Sequence, residues 1–498
     1  MKSFLRRLAG LAPKARLESA MRSRRLASWV PPVRNLNTHV VADGDLTLRR
    51  AREIVLSSPL ATNACEAFVA NVVGSGIKPA PLVEDKEARR LIRKVWRRWT
   101  DEADADGLTD FYGLQALVAR EVFVAGECFV RLRARRPEDG LVVPMQLQLL
   151  QAEMLPLGKT ETAPNGNAIR CGIEFDKIGR RVAYWFLRRH PGDETDRSFS
   201  PDQFVRVPAE EVLHIRKPME AGQLRGLPHI TPALVRLHQM DQYMDAQVER
   251  QKTAALFVAF VVKNAPEDAL LNEMEGEDGD GIARAPLQPG TMQVLLPGED
   301  IRFSTPTGVG SDFEPFRYRA DLDSAAAMGV PYATATGDYS RGNFSSQRLG
   351  MIEFRRRMVQ MQHAVFGWQL CRPVWLRWMK DAVLSGALDL AGYADDPRAF
   401  LDVDWKPPKW EWIDPLKDAQ AEKMAQDSGW KARSDIIDEL GYDAEEVDGR
   451  IKADQEREQA LGLEFGKGAG ETQGARMTPD QPDQPDQPDQ PDPTDNKE

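Results

Sequence analysis

Residues able to cut a bond, hold a metal or grip a phosphate occur throughout this chain of 498 residues, but their spacing assembles no site. A phosphate-cradling loop needs GxxxxGK[ST], so that backbone N–H groups and a lysine surround the anion. The nearest string, GLEFGKG at 462–468, has the wrong spacing and no Ser or Thr after Lys467. Gly74 and Gly76 of VVGSGIKP supply half a dinucleotide loop, without the third glycine or a following helix. The six histidines (His39, His190, His214, His229, His238, His363) form neither HExxH nor HxH, and there is no GxSxG elbow. His214, inside VLHIRKP, reads as a structural histidine with its nitrogens satisfied rather than as a base. Cys65, Cys128, Cys171 and Cys371 lie far apart with no CxxC pair, and read as reduced, buried thiols. The carboxylates from Glu273 to Asp280 lack the alternating ligand positions of an EF-hand and read as a solvated loop. No catalytic residue, cofactor or metal is therefore expected, and ATP hydrolysis has no phosphate loop to run it.

Composition narrows the classes further. The net charge of −10 argues against a protein that coats nucleic acid, because such proteins neutralise phosphates with surplus Lys and Arg. Charge is uneven, however: residues 1–35 carry nine Lys or Arg against the single acid Glu18, and read as a solubilising arm or one that meets an acidic partner or nucleic acid. The longest apolar run, Ala254 to Val262, is nine residues, where a spanning helix needs about 20. The basic N-terminus is interrupted by Arg6 and Arg7 and is too short in apolar residues for a secretory leader, so no membrane partner is expected. At the other end, PDQPDQPDQPDQPD from Pro479 to Asp492 has no apolar residue to bury and is expected to be an extended, self-repelling tail.

The elements between these ends read as α+β. Ala88, Leu91, Ile92, Val95, Trp96 and Trp99 make one stripe of an amphipathic helix whose outer face is Arg89, Arg90, Arg93, Lys94, Arg97 and Arg98. Residues 111–133 predict a helix, a break at Gly126 and a strand at 128–132. Further strands are expected at 146–150 and within 170–187, with a turn at Asp176 to Gly179. From Pro232 to about Phe257 a helix of roughly 25 residues is expected, its apolar positions Leu234, Leu237, Met240, Met244 and Val248 stepping by three and four. Strands follow within 258–304 around an acidic, Gly-rich loop, and a helix resumes from Phe313 to Met328 before the Gly329-Val330-Pro331 stop. A small strand module is thus inserted between two helices. A further long helix spans Ser345 to Lys380, expected to kink or break at Pro373, and another starts after Asp414 and Pro415.

Several strings, in order, resemble the lambda-type portal family of tailed bacteriophages: SPLATNACEAFVANVVGSGIKP, AGECFVRLR, GIEFDKIGRRVAYWF, and VLHIRKPMEAGQLRGLPHITPALVRLHQMDQYMDAQVERQKTAALFVAFV. GVPYATATGDYSRGNFSSQRLGMIEFRRR and WEWIDPLKDAQAEKMAQDSG continue the series, so that the likeness covers about residues 45–450. Its signature positions are Gly222, Arg225, Gly226, Gly337, Asp338, Asn343, Phe344 and Ser345. The resemblance implies a portal-type fold assembling as a ring, usually twelve-fold. Its parts would be a basic arm (1–44), an α+β wing (45–228), a first stem helix (229–257), a clip (258–308), a second stem or tunnel segment (311–329), wing and tunnel helices (330–389), a mostly helical crown (390–450) and the acidic tail (451–498).

The resemblance further implies that double-stranded DNA passes without sequence specificity through the ring at one capsid vertex. Partners would be the terminase large subunit, which supplies force, the major capsid or scaffold protein, and later the head-completion and tail proteins. An acidic chain with scattered basic residues suits a low-friction conduit, since tight phosphate contacts would hold DNA in place. Arg250, Lys252, Arg317 and Arg319, on or near the expected stem, are the candidates to face the channel, and intersubunit or solvent ion pairs are an equally good reading of each. Two rival classes remain, a DNA-processing enzyme (nuclease or packaging motor subunit) and a non-portal structural capsid protein.

Overall fold

A computed structural model describes residues 30–193, 203–255, 259–263, 277–278, 282–283, 299–303, 313–408, 410 and 415–463, with single residues at 24 and 28. The basic arm up to residue 23, the TMQVLL strand, most of the acidic loop and the PDQ tail lie outside the described residues. The chain divides into two compact units, one up to Ala419 and one from Gln420.

The larger unit opens with four helices: α1 (Leu36–Ser57), α2 (Pro59–Val72), α3 (Lys86–Thr100) and α4 (Phe111–Val124), with the short strand β1 (Lys78–Pro81) between α2 and α3. Sequence chemistry sets their ends. Asn35, Asp85 and Asp110 each turn a side-chain oxygen onto a first-turn N–H of the helix that follows. The stripe of α3 is buried as expected, and Arg90, Lys94, Arg97 and Arg98 stay exposed. Gly126, with φ +82°, breaks the chain after α4 and starts β2 (Glu127–Ala134).

Two antiparallel sheets follow. β2 is the centre of a three-stranded sheet, between β3 (Met145–Leu150) and β9 (Val212–Arg216). A five-stranded sheet runs in sequence order through β4 (Glu161–Thr162), β5 (Ala168–Arg170), β6 (Ile173–Phe175), β7 (Arg181–Leu187) and β8 (Phe204–Pro208). Its aromatic face, Phe175, Tyr184 and Phe186, packs with Phe129 of β2 into a core of its own.

Two helices, α5 (Leu234–Ala255) and α6 (Phe313–Met328), flank the inserted strands. Of those strands, β10 (Ala259–Lys263) pairs antiparallel with β13 (Glu299–Phe303), and the two-residue strands β11 (Glu277–Asp278) and β12 (Ile282–Ala283) pair with each other. A one-turn helix, α7 (Tyr332–Thr336), leads to α8 (Phe344–Met361). The chain then stays helical through Pro373, so of the expected kink or break the break does not occur: residues Gln362–Cys371 form a π-helical stretch and α9 (Arg372–Leu384) continues from it. In the wider turn the N–H of Arg372 reaches back to the Gly367 carbonyl, so Pro373 falls at the start of a new register where its missing N–H leaves no gap.

The main core gathers Trp96, Trp99, Phe111, Trp375 and Trp378, with ring centroids 4.9 Å apart for Trp96 and Trp99 and 5.1 Å for Trp96 and Trp375. Two indole N–H groups are satisfied by carbonyls, Trp99 on Met145 at 2.8 Å and Trp375 on Leu401 at 3.1 Å. The last strand, β14 (Val403–Lys406), returns to pair with β1. The smaller unit contains the end of α10 (Pro415–Asp427), then α11 (Arg433–Glu439) and α12 (Ala444–Leu461). In it Lys431 sits between Glu422 and Glu439, and Arg433 meets Asp448 at 2.6 Å.

Trp375→Ala should cost about 3–5 kcal/mol, because a fully buried indole is replaced by a cavity between helices that cannot close up. Urea unfolding followed by circular dichroism would read this as a lowered midpoint with unchanged slope.

Candidate functional site

The residues singled out from the sequence fall into three places, and the first is a buried charge cluster. Glu127 opens β2, and both its carboxylate oxygens are engaged. Arg225 Nε donates to Oε1 at 2.6 Å, while the backbone N–H of Gly226 (2.6 Å) and His214 Nε2 (2.8 Å) both donate to Oε2. The remaining guanidinium nitrogens of Arg225 donate to three carbonyls, Leu155 at 2.6 Å, Cys171 at 3.0 Å and Ala152 at 3.1 Å. Cys171 has φ +52°, a conformation L-residues avoid, and its carbonyl points at the arginine.

Glycine is required on both sides of this cluster. A Cβ on Gly126 would lie 2.0 Å from the Leu227 carbonyl carbon, and one on Gly226 would lie 2.3 Å from the Gly126 oxygen. The two backbones touch, and that contact lays the 217–230 loop against the start of β2. Gly222, with φ +78°, has open space around it and serves the turn alone. Asn37 of α1 holds the same loop through Gly222 and Leu224, and the N–H of His229 bonds the Phe123 carbonyl at 2.9 Å.

The cluster's electrostatics are those of a joint. Burial by itself would raise the Glu127 carboxyl, but the Arg225 guanidinium and the His214 hydrogen bond reverse this and hold it down at about 2. Burial pushes His214 down to about 3 against the pull of Glu127, so the ring is neutral. That fixes its tautomer, with Nε2–H donating to Glu127 and Nδ1 accepting from Arg216 at 3.2 Å. The expected structural role of His214 is what the geometry gives. Glu127 itself was not singled out from the sequence, although it is the one charged residue between Val122 and Val130, a signal that an apolar run is carrying a paired charge.

The second place is the helix pair α5 and α6. Arg236 meets Asp323 at 2.9 Å, and Tyr243 packs edge-on against Phe316 at 5.4 Å, so the helices run antiparallel. Of the four channel candidates, Lys252 bonds Glu249 at 2.8 Å and Arg317 lies 3.5 Å from Asp321, each on its own helix. Arg250 and Arg319 are exposed on the same two helices. The expected apolar stripe is covered only at its start: Leu234 and Leu237 are buried, Met240 and Met244 are half-buried, and Val248 is exposed.

The third place is the loop between α7 and α8. Gly337 closes α7 in the left-handed conformation at φ +76°, and Asn343 caps α8 by accepting from Ser346 N at 2.8 Å. Asp338 accepts from Ser340 N at 3.0 Å and from the Tyr332 hydroxyl at 3.3 Å, and Arg341 ties the loop to Glu314 and to the Tyr318 ring of α6. Ser345 is exposed in the first turn, and Phe344 opens the helix. Gly74 and Gly76 are structural: Gly76 has φ +102° and a Cβ there would strike Tyr112 at 2.4 Å. All four cysteines are free and buried. Among the described residues no group of three His, Cys, Asp or Glu side chains could hold a metal ion, and no helix is long and apolar enough to cross a membrane.

Because His214 and His229 are held well below the ordinary imidazole value of 6.5, at about 3 and about 4, the unfolded chain binds protons that the folded chain refuses. Stability is therefore expected to fall as pH drops from about 6.5 towards 4, and the variant His214→Gln/His229→Gln should flatten the fall, measured as urea midpoints at pH 7 and pH 5. Arg225→Met, which strands the Glu127 charge, should cost about 3–5 kcal/mol at neutral pH.

Comparison with known proteins gives the chain's family. The family model for phage portal protein, lambda family, matches residues 22–362. A probable portal protein of Halomonas phage phiHAP-1 is 27% identical over 459 residues, covering 89% of this chain and 87% of the relative. Portal protein B of Escherichia phage lambda is 20% identical, covering 88% of each. A solved chain described as the neck of a native GTA particle computed with C12 symmetry aligns with TM-score 0.49 at 14% identity, covering 80% of this chain and 93% of that one. With that family model matching residues 22–362, from α1 through α8, this chain belongs to the lambda family of phage portal proteins.

Proposed function

We propose that the chain works as one subunit of a closed ring, roughly twelve-fold, at the capsid vertex, and that double-stranded DNA is packaged and ejected through its centre. The observation that carries the reading furthest is the antiparallel pair α5 and α6, continued by β10 and β13, with an apolar stripe covered only at its start. Stacking such pairs side by side around an axis buries the rest of the stripe and leaves polar residues inward.

On this reading the wing is 45–228 with 330–389, the stem 229–257 with 311–329, the clip 258–308 and the crown 390–450. Force comes from a separate ATPase, the terminase, which docks on the ring during packaging and gives way to head-completion and tail proteins. Arg250, Lys252, Arg317 and Arg319 lie along the DNA path. The ion pairs of Lys252 with Glu249 and Arg317 with Asp321 lower their pull on phosphate, in keeping with DNA that slides. A structural role in the virion fits the family better than a catalytic one.

Purified full-length chain, examined by light scattering and negative-stain microscopy, should give rings of roughly a dozen 55.8 kDa subunits with an axial hole. A monomer or dimer that cleaves DNA with added metal would overturn the reading in favour of a nuclease.

A further inference from the structure

Two surfaces of the larger unit complement each other, an apolar groove with an acidic rim and an apolar ridge with a basic flank. The first is an open groove of about 350 Å³ between the start of α2, the middle of α5 and the face of α6. Its floor is apolar, formed by Leu60, Leu237, Met240 and Met244, and its rim carries Asp241 and Asp321. The other polar groups there are occupied within the fold: Asn63 donates to the carbonyls of Thr334 and Ala335, and Arg317 lies on Asp321. Beyond the rim carboxylates, these groups do not converge on the space as the recognition of a small ligand would need.

The second surface is the outward face of α8. Phe354, Met358 and Met361 turn into the core, while Leu349, Ile352, Arg356 and Val359 follow one another at steps of three and four on the opposite side. Leu349 is 63% exposed and Val359 48%, and the flanking Arg356 and Arg357 are exposed, with Glu353 beside Arg356 at 2.8 Å. An apolar ridge with a basic flank thus stands on the same unit as an apolar groove with an acidic rim.

We propose that Leu349 and Ile352 of one subunit seat in the groove over Leu237, Met240 and Met244 of a second copy, with Arg356 facing Asp241. Ridge and groove are different surfaces of one chain, so the contact is heterologous, and repeated by rotation it closes a ring. The proposal rests on the ring reading above and adds to it the residues that join neighbours. It also accounts for the half-covered stripe of α5, which the ridge of the neighbour would cover between Met240 and Met244.

The test exchanges the charges. Asp241→Arg and Arg356→Asp are made singly and together, and each is checked by thermal melting for a fold like the parent chain. Each single variant is expected to lose at least tenfold in ring yield by light scattering and negative-stain microscopy, since like charges then face each other at every interface. The double variant should regain rings, and so should a 1:1 mixture of the two singles, in which alternating subunits place opposite charges at every contact. Leu349→Asp should also abolish rings while leaving the fold intact. If both single variants form rings as the parent does, or if they fail and neither the double variant nor the mixture restores them, this interface is wrong while the ring reading stands. If the parent chain itself forms no ring, the ring reading falls, and this interface with it.

Discussion

Two charges, Glu127 and Arg225, lie almost wholly out of water, and the larger unit is arranged so that neither is left unpaired. Removing such ions from water costs several kcal/mol each, and their attraction offsets this only when every remaining lone pair and N–H finds a partner. Here the partners come from four pieces of chain: the turn that carries Ala152 and Leu155, the Cys171 corner of the five-stranded sheet, the Gly226 N–H and the β9 histidine. The pair therefore acts as a position gauge, since two sheets and the loop into α5 must all be in place before its cost is met.

From that joint the geometry passes outward in rigid steps. The contact between Gly126 and the Leu227 backbone sets the loop, His229 links it to Phe123 behind and to the Met328 carbonyl at the end of α6, and α5 starts directly after. Force applied to α5 or α6 would be delivered to the sheets through this joint. A cluster in which both Glu127 oxygens and every guanidinium nitrogen of Arg225 are engaged transmits load with little give, because any displacement breaks several hydrogen bonds at once.

Two further long-range ties use side-chain amides. Gln369, on the π-helical stretch, both donates to and accepts from Arg216 of β9, and Gln115 does the same for Ile77. Each satisfies strand or turn backbone groups as a neighbouring strand would, without adding a strand. The wide helical turn that carries Gln369 also absorbs Pro373, so one local irregularity serves both needs.

Much of the architecture was legible from residue order. Periodicity gave α3, α5 and α6 to within a few residues, because burying one stripe and wetting the other depends on sequence alone. The negative results about chemistry were likewise readable, since motifs such as a phosphate loop require fixed local spacing. What the residues could not announce was which distant groups meet. Glu127 and Arg225 are 98 positions apart, and the continuity of α8 through Pro373 depended on a change of helical register. Local pattern determined the elements and the family likeness; the tertiary structure alone decided the joint, because a buried charge can be tolerated only where folding brings its partners to it.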